Sequence, residues 1–230
     1  MGCAAGRRFR GGMIMRLVNP AWEAVKEFVH ASRFRDVLFD LDGRELQADH
    51  GYLLRTELLA RLPWLADCEG AGIHPVHGEP TDHDTLIISR RARLWLRLPL
   101  ERADAAGALC GQTLDLGCGM IRIARMQVRP LAPFAYQYSH FVDMGTADEA
   151  LFMTEAQRQL DELEIRCGLI PGKARKMQTP EQEIRGYSLM LHDLSLLDSI
   201  RLQERGIGAS RLLGCGLFIP HKSIKEVVVE

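Results

Sequence analysis

The order of hydrophobic patterns along this chain predicts an α+β protein of two tandem ferredoxin-like (RRM-like) domains with a C-terminal Gly-rich loop. Three observations carry that expectation. Two-residue alternations and 3.6-residue stripes follow one another as β-α-β-β-α-β over residues 36–130. The order β-α-(β)-β-α-β returns over residues 131–230, although no sequence repeat is visible. Finally, Gly206, Gly208, Gly214 and Gly216 crowd the end of the second unit. Residues 1–35 stand apart as an N-terminal extension.

The elements follow in order. PAWEAVKEFVHA (20–31) places Trp22, Val25, Phe28 and Val29 on one helical face. In DVLFDLDGREL (36–46), Val37, Phe39 and Leu41 alternate with Leu38, Asp40 and Asp42, as a strand does. In ADHGYLLRTELLARLPWL (48–65), Leu54, Leu58, Leu62 and Leu65 make one buried helical stripe. Asp49 is its expected N-cap, and Pro63 with Trp64 marks its far end. GIHPVHG (72–78) and TLIISRRARLWLRLP (85–99) predict a strand pair, with Leu94, Leu96 and Leu98 alternating against Arg93, Trp95 and Arg97. LERADAAGAL (100–109) is a short helix, and QTLDLGCGMIRIARMQVRPLAP (112–133) alternates again around Ile121 and Ile123.

The second half opens with a strand in AYQYSHFVDM (135–144). ADEALFMTEAQRQLDELEIRCG (147–168) is the clearest helix, expected to end at Gly168. KARKMQTPEQEIR (173–185) reads as a polar loop, and GYSLMLHDL (186–194) as a strand. SLLDSIRLQERG (195–206) is a helix with Ser195 as N-cap and Gly206 as its stop. The Gly-rich stretch then runs into LFIP and a last strand, KEVVV (225–229).

Composition narrows the function. The chain has 230 residues, 47% hydrophobic and 26% charged, which is ordinary for a globular protein. No apolar run approaches the ~20 residues of a membrane span. The formal net charge of −1 announces no polyanion partner, so any phosphate-binding surface must be local. The basic residues are 24 Arg and 5 Lys, a bias that suits phosphate and stacked bases and that a G- and C-rich genome also produces. Cysteines stand at 3, 68, 110, 118, 167 and 215 with no C-x-x-C spacing, so no zinc ribbon is expected. MGCAAGRRFRGG lacks an export h-region, so a cytoplasmic protein with reduced thiols is expected. Met13 or Met15 is the expected natural start.

Gly-Cys-Gly occurs twice. In LDLGCGM (114–120), Asp115, Gly117 and Gly119 match the nucleotide loop of a SAM-dependent methyltransferase, and Asp143 follows a later strand. Ile121 stands where the third glycine belongs, and the following residues alternate. A β-bulge or tight turn accounts for the same residues. In LLGCGLF (212–218), the glycines fall within a loop that can lay backbone N–H groups against phosphates. Arg201, Arg205, Arg211 and Lys222 surround that loop.

SIRLQERGIGASRLLGCGLFIPHK resembles the Gly-rich signature that closes the CRISPR-associated repeat-cleaving endoribonucleases of the repeat-associated mysterious protein superfamily. The likeness is greatest to the subfamily first defined with the Myxan subtype. LQADHGYLLRTELLARLPWL, GIHPVHG and GYSLMLHDLS resemble it too, in the same order, so the likeness covers about residues 36 to 223. The resemblance implies tandem ferredoxin-like domains, metal-independent cleavage of CRISPR precursor RNA within repeats, no cofactor, and delivery of guide RNA to subunits of a CRISPR interference complex. It also places a catalytic His after the first strand, where His50 stands, and maps the glycine loop onto Gly206, Gly208, Gly214 and Gly216.

The chemistry suits an imidazole. Attack by a ribose 2′-hydroxyl needs one proton removed and the leaving 5′-oxygen protonated, and a group with a pKa near 6.5 does either at neutral pH. His50 lies at a helix start beside the leucine stripe, where an exposed helix-start His is the plainer alternative. Lys222, Arg55 and Tyr52 are the accompanying candidates for stabilising the phosphorane. His74 and His77 read as one face of a strand, His83 as a turn residue, and His221 as a loop residue. Tyr136 and Tyr138 stack on unpaired bases if exposed and otherwise pack in the core. Three classes stand at this point: endoribonuclease, noncatalytic RNA-binding subunit, and methyltransferase.

Overall fold

A computed structural model describes residues 32–221. The expected start at Met13 or Met15, the helix at 20–31, Lys222 and the strand KEVVV lie outside the described residues.

The first domain is built on β1 (Phe34–Asp42), α1 (Gly51–Arg61), β3 (Gly72–His74), β6 (Arg93–Pro99), α2 (Leu100–Ala103) and β8 (Met120–Pro130). Its antiparallel sheet runs β3-β6-β1-β8, extended at one edge by β7 (Thr113–Asp115). In the order of these main strands that is 2-3-1-4. The second domain repeats the plan with β9 (Gln137–Val142), α3 (Glu149–Glu162), β10 (Gly168–Gln178), β11 (Glu183–His192), α4 (Leu196–Arg205) and β12 (Ile219–Pro220). Its sheet, β10-β11-β9-β12, is again 2-3-1-4 and antiparallel. The chain is therefore two tandem ferredoxin-like domains.

Alternation explains the sheets. Val37 and Phe39 of β1 and Leu94, Leu96 and Leu98 of β6 are buried under the Leu54/Leu58/Leu62/Leu65 stripe. Phe152, Ala156 and Leu160 of α3 do the same for Leu189 and Leu191 of β11. The opposite face of the first sheet meets the second domain. There Arg97 is fully buried. Its Nε donates to Asp36 Oδ1 at 2.8 Å and its Nη2 to Asp36 Oδ2 at 3.2 Å. Its Nη1 donates to the carbonyls of Gln203 at 3.1 Å and Phe218 at 2.8 Å, which belong to the second domain.

Several local expectations are corrected. The stretch 36–46 is two strands, because β1 ends at Asp42 and β2 (Glu45–Gln47) joins β5 (Thr85–Ile87) and β4 (Glu79–Pro80) in a separate sheet. Asp49 does not cap α1. His50 holds the N-cap position without a side-chain cap, and the Asp49 carboxylate accepts from the Gln178 N–H at 2.7 Å. The helix expected to reach Gly168 stops at Glu162. Glu164 turns left-handed there (φ 56°), and Ile165 N–H donates back to the Leu160 carbonyl, closing the end as a Schellman turn.

KARKMQTPEQEIR is no loop. It forms the outer half of a hairpin, β10 against β11, with Lys173, Arg175 and Lys176 exposed. Strand β10 is an edge strand, so its backbone pairs on one side while its charged side chains stay in water. The methyltransferase loop is also overturned. Residues 116–119 turn between β7 and β8, Gly117 takes φ 90°, and a strand follows in place of a helix. Asp143 is buried and accepts from Ser210 Oγ at 2.8 Å and Gly145 N–H at 3.0 Å, so both of its oxygens are engaged within the protein.

Candidate active site

The first turn of α1 starts where the chain leaves the small sheet, and this brings His50 beneath the segment that follows β3. The ring is only 3% exposed. Its Nε2 accepts from Val76 N–H at 3.0 Å. Because that nitrogen accepts, Nδ1 carries the proton and donates to the carbonyls of Gln47 (3.0 Å) and Ala48 (3.1 Å). Burial pushes the His50 pKa below its usual value, and the two carbonyls and the Asp49 charge partly oppose this. The resting ring is neutral with both nitrogens engaged.

His50 borders a cleft of about 350 Å³ whose wall includes His77, His140, Arg175, Lys176 and Gly214. His77 arrives from the first domain, and His140 from β9 of the second. Their ring centroids are 4.3 Å apart. Tyr138 meets His140 edge-on at 4.9 Å and lies tilted against His221 at 5.8 Å. Burial, then the neighbouring His77, Arg175 and His221 charges, pull the His140 pKa down to about 3. Sequence reasoning missed His140. The signal was present in YQYSH, where Tyr136, Tyr138 and His140 share a strand face. It missed Arg175 and Lys176 as well, because their strand was read as a loop.

The remaining predicted residues are spread around this cleft. Tyr52 and Arg55 line a neighbouring depression of about 600 Å³ with Gly208, Ser210 and Arg211. Leu213 separates the two, bordering both. Arg211 donates to the carbonyls of Arg205 (2.7 Å), Gly70 (3.0 Å) and Glu204 (3.2 Å), tying the glycine loop to both domains. Burial and the Arg97 charge lower its pKa to about 9, so it stays protonated at neutral pH. Arg205 is exposed, and Arg201 donates to the Leu163 carbonyl at 3.0 Å.

The N–H groups of Gly206, Gly208, Gly214 and Gly216 donate within the protein, to Leu202 O, Gln159 Oε1, Arg211 O and Phe141 O. These bonds anchor the loop to the second domain and to itself, and Arg211 on Gly70 supplies its tie to the first domain. His74 and His77 do not share a face: His74 is buried and stacked on Trp95 at 4.9 Å, whereas His77 is exposed to the cleft. An i, i+3 spacing puts strand residues on opposite faces. His83 lies in an exposed turn, and Tyr136 packs half-buried against Phe134. Among the described residues, no cluster of three or more His, Cys, Asp or Glu is arranged to hold a metal ion.

Gly216 makes a prediction of its own. It sits at φ 65°, and an added Cβ runs into the Ile207 carbonyl. Gly216→Ala is expected to destabilise the fold by about 1–3 kcal/mol from the backbone conformation alone, with the clash in addition. Urea denaturation checks this, and an unchanged midpoint refutes it.

Comparison with known proteins places the chain. The Cas6 family model, described as Cas6 Crispr, matches residues 36–223. The chain belongs to the Cas6 family. The CRISPR-associated endonuclease Cas6 of Myxococcus xanthus (strain DK1622) is 31% identical over 188 residues, 81% of each chain. Among solved structures, an RAMP protein binding different RNA substrates superposes with a TM-score of 0.63 at 13% identity, over 82% of this chain and 100% of that one. A Cas6-related protein from Pyrococcus furiosus gives 0.59 at 13%, over 80% and 97%. At such identities the structural likeness speaks for the Cas6 fold alone. His50, His77 and His140 all lie within the span matched by the family.

Proposed function

We propose that this Cas6 family member is an endoribonuclease that cuts CRISPR precursor RNA within its repeats, without metal, releasing guide RNAs for a CRISPR interference complex. The observation that carries the reading is the 31% identity to an enzyme named as a CRISPR-associated endonuclease, over 81% of both chains. The cleft supports it, because it gathers imidazoles beside Arg175 and Lys176, the groups that RNA self-cleavage by a 2′-hydroxyl needs. Repeat RNA is the partner. No described helix is long and apolar enough to cross a membrane.

His50 is the acid in this reading. Its Nδ1–H already rests on two carbonyls, which favours the charged ring. A phosphodiester entering the cleft brings an anion that favours the charged ring: Val76 N–H is released, Nε2 takes a proton from solvent, and that proton passes to the leaving 5′-oxygen. Lys222, Arg55 and Tyr52 are proposed to contact the RNA around the cut, and Arg201 and Arg205 its phosphates, while Arg211, engaged with three carbonyls, holds the glycine loop in place. The glycine loop, through Gly206, Gly208, Gly214 and Gly216, is proposed to shape the surface on which RNA lies.

The test is cleavage of repeat RNA in EDTA. The nucleophile is internal, so no hydrolytic water is required. Cutting is expected to persist and to leave a 2′,3′-cyclic phosphate and a 5′-hydroxyl, read by mass spectrometry of the ends. Activity that disappears on chelation and returns with magnesium overturns the mechanism. The second reading is a noncatalytic subunit that only holds RNA, and it is favoured by the double engagement of the His50 ring. Tight RNA binding with no cleavage selects it.

A further inference from the structure

We propose that His140, held against His77 across the domain boundary, is the general base of the cleft and takes the proton of the attacking 2′-hydroxyl. The assignment rests on the RNA-cleavage reading above and deepens it. Cleavage requires two proton transfers, and His50 supplies one. Its Nε2 lone pair is occupied by Val76 N–H and its Nδ1 proton by two carbonyls, so the resting ring has no acceptor to offer. His140 differs in each respect. Its ring packs on His77 and on the edge of Tyr138, and among the described residues neither it nor His77 makes a side-chain hydrogen bond. A neutral imidazole keeps one lone pair for a hydroxyl proton.

The environments of the two rings set their roles apart. His140 faces His77, Tyr138, His221 and Arg175; Lys176 and Asp49 line the same cleft, and the Asp49 carboxylate accepts from Gln178 N–H. Positive neighbours and burial keep it neutral before RNA binds, and the phosphate anion that enters the cleft offsets those positive charges and raises its affinity for the hydroxyl proton. His50 has carbonyls and Asp49 to support a charge. Groups whose surroundings push their proton affinities apart divide acid and base duties between them. The step balances as follows. The 2′-oxygen bonds to phosphorus and its proton passes to His140. The bond from phosphorus to the 5′-oxygen breaks, and that oxygen takes the proton of His50. Exchange with water resets both rings. His77 is a positioning residue, holding the His140 ring from the facing domain.

The experiment measures single-turnover cleavage of repeat RNA in EDTA by the wild-type chain, His140→Ala and His140→Asn, each with and without added imidazole. Both variants are expected to bind RNA like wild type and to cut about 10²–10⁴-fold more slowly. Imidazole is expected to restore part of the His140→Ala rate. The ratio of rates with and without imidazole at each pH should grow as pH rises through about 7, because the neutral base is the active form and the His50 contribution cancels in the ratio. A wild-type rate in either variant overturns the assignment. So does lost RNA affinity in both, absence of rescue, or rescue that follows protonated imidazole. Failure of the wild-type chain to cut repeat RNA instead overturns the cleavage reading, and this assignment with it.

Discussion

Arg97→Ala is expected to lower the unfolding free energy by about 3–5 kcal/mol, measured by urea denaturation. The guanidinium is fully buried and serves three partners, the Asp36 carboxylate and the carbonyls of Gln203 and Phe218. Removing it leaves a buried carboxylate unpaired and two carbonyls without a donor. The loss should be concentrated at the joint between the domains, because Asp36 and Arg97 sit on one sheet and both carbonyls on the other domain. Replacing the pair together, Asp36→Leu with Arg97→Met, should recover part of the loss by removing the stranded charge. It should not recover all of it, since Gln203 and Phe218 still lack a donor. An Arg97→Ala protein with the wild-type midpoint refutes the claim that this contact holds the domains together.

His50→Ala is expected to slow single-turnover cleavage by about 10²–10⁴-fold while leaving RNA affinity nearly unchanged. The same change removes the acceptor of Val76 N–H, so it should also cost about 1–3 kcal/mol of stability. Comparison at a temperature where the variant remains folded separates the two effects. A 2′-deoxy substitution at the cut site should block the wild-type enzyme by removing the nucleophile, without altering either histidine. If His50→Ala cuts at the wild-type rate, His50 is not the acid, and Tyr52 and Arg55 are the residues to test next. If affinity falls with the rate, His50 acts by holding the segment around Val76 in place.

The sequence by itself determined the plan of the chain. The stripe Leu54, Leu58, Leu62, Leu65 and the alternation of Leu94, Leu96 and Leu98 are local periodicities, and each commits its segment to one backbone geometry before any partner is chosen. Ser195 and Gly206 likewise bound α4 through contacts a few residues away, the Ser195 side chain accepting from Asp198 N–H. The placement of His50 at a helix start was legible for the same reason. Where the reading failed, the deciding partner was distant in the chain. Strand β10 carries polar residues and Pro171, and only its pairing with β11 makes it a strand. Asp49 looked like a cap until Gln178, on that strand, took its carboxylate. Alternation set Arg97 on the face opposite Leu94, Leu96 and Leu98 without saying what covers that face, and the second domain buries Arg97 there with Asp36. The alternation in YQYSH puts His140 on a face with Tyr138, but its partner His77 comes from the other domain, which no local pattern states. Tertiary structure alone decided these contacts, because a buried charge, a shared proton acceptor or a ring pair depends on which surfaces meet, and periodicity states only which face of an element is apolar.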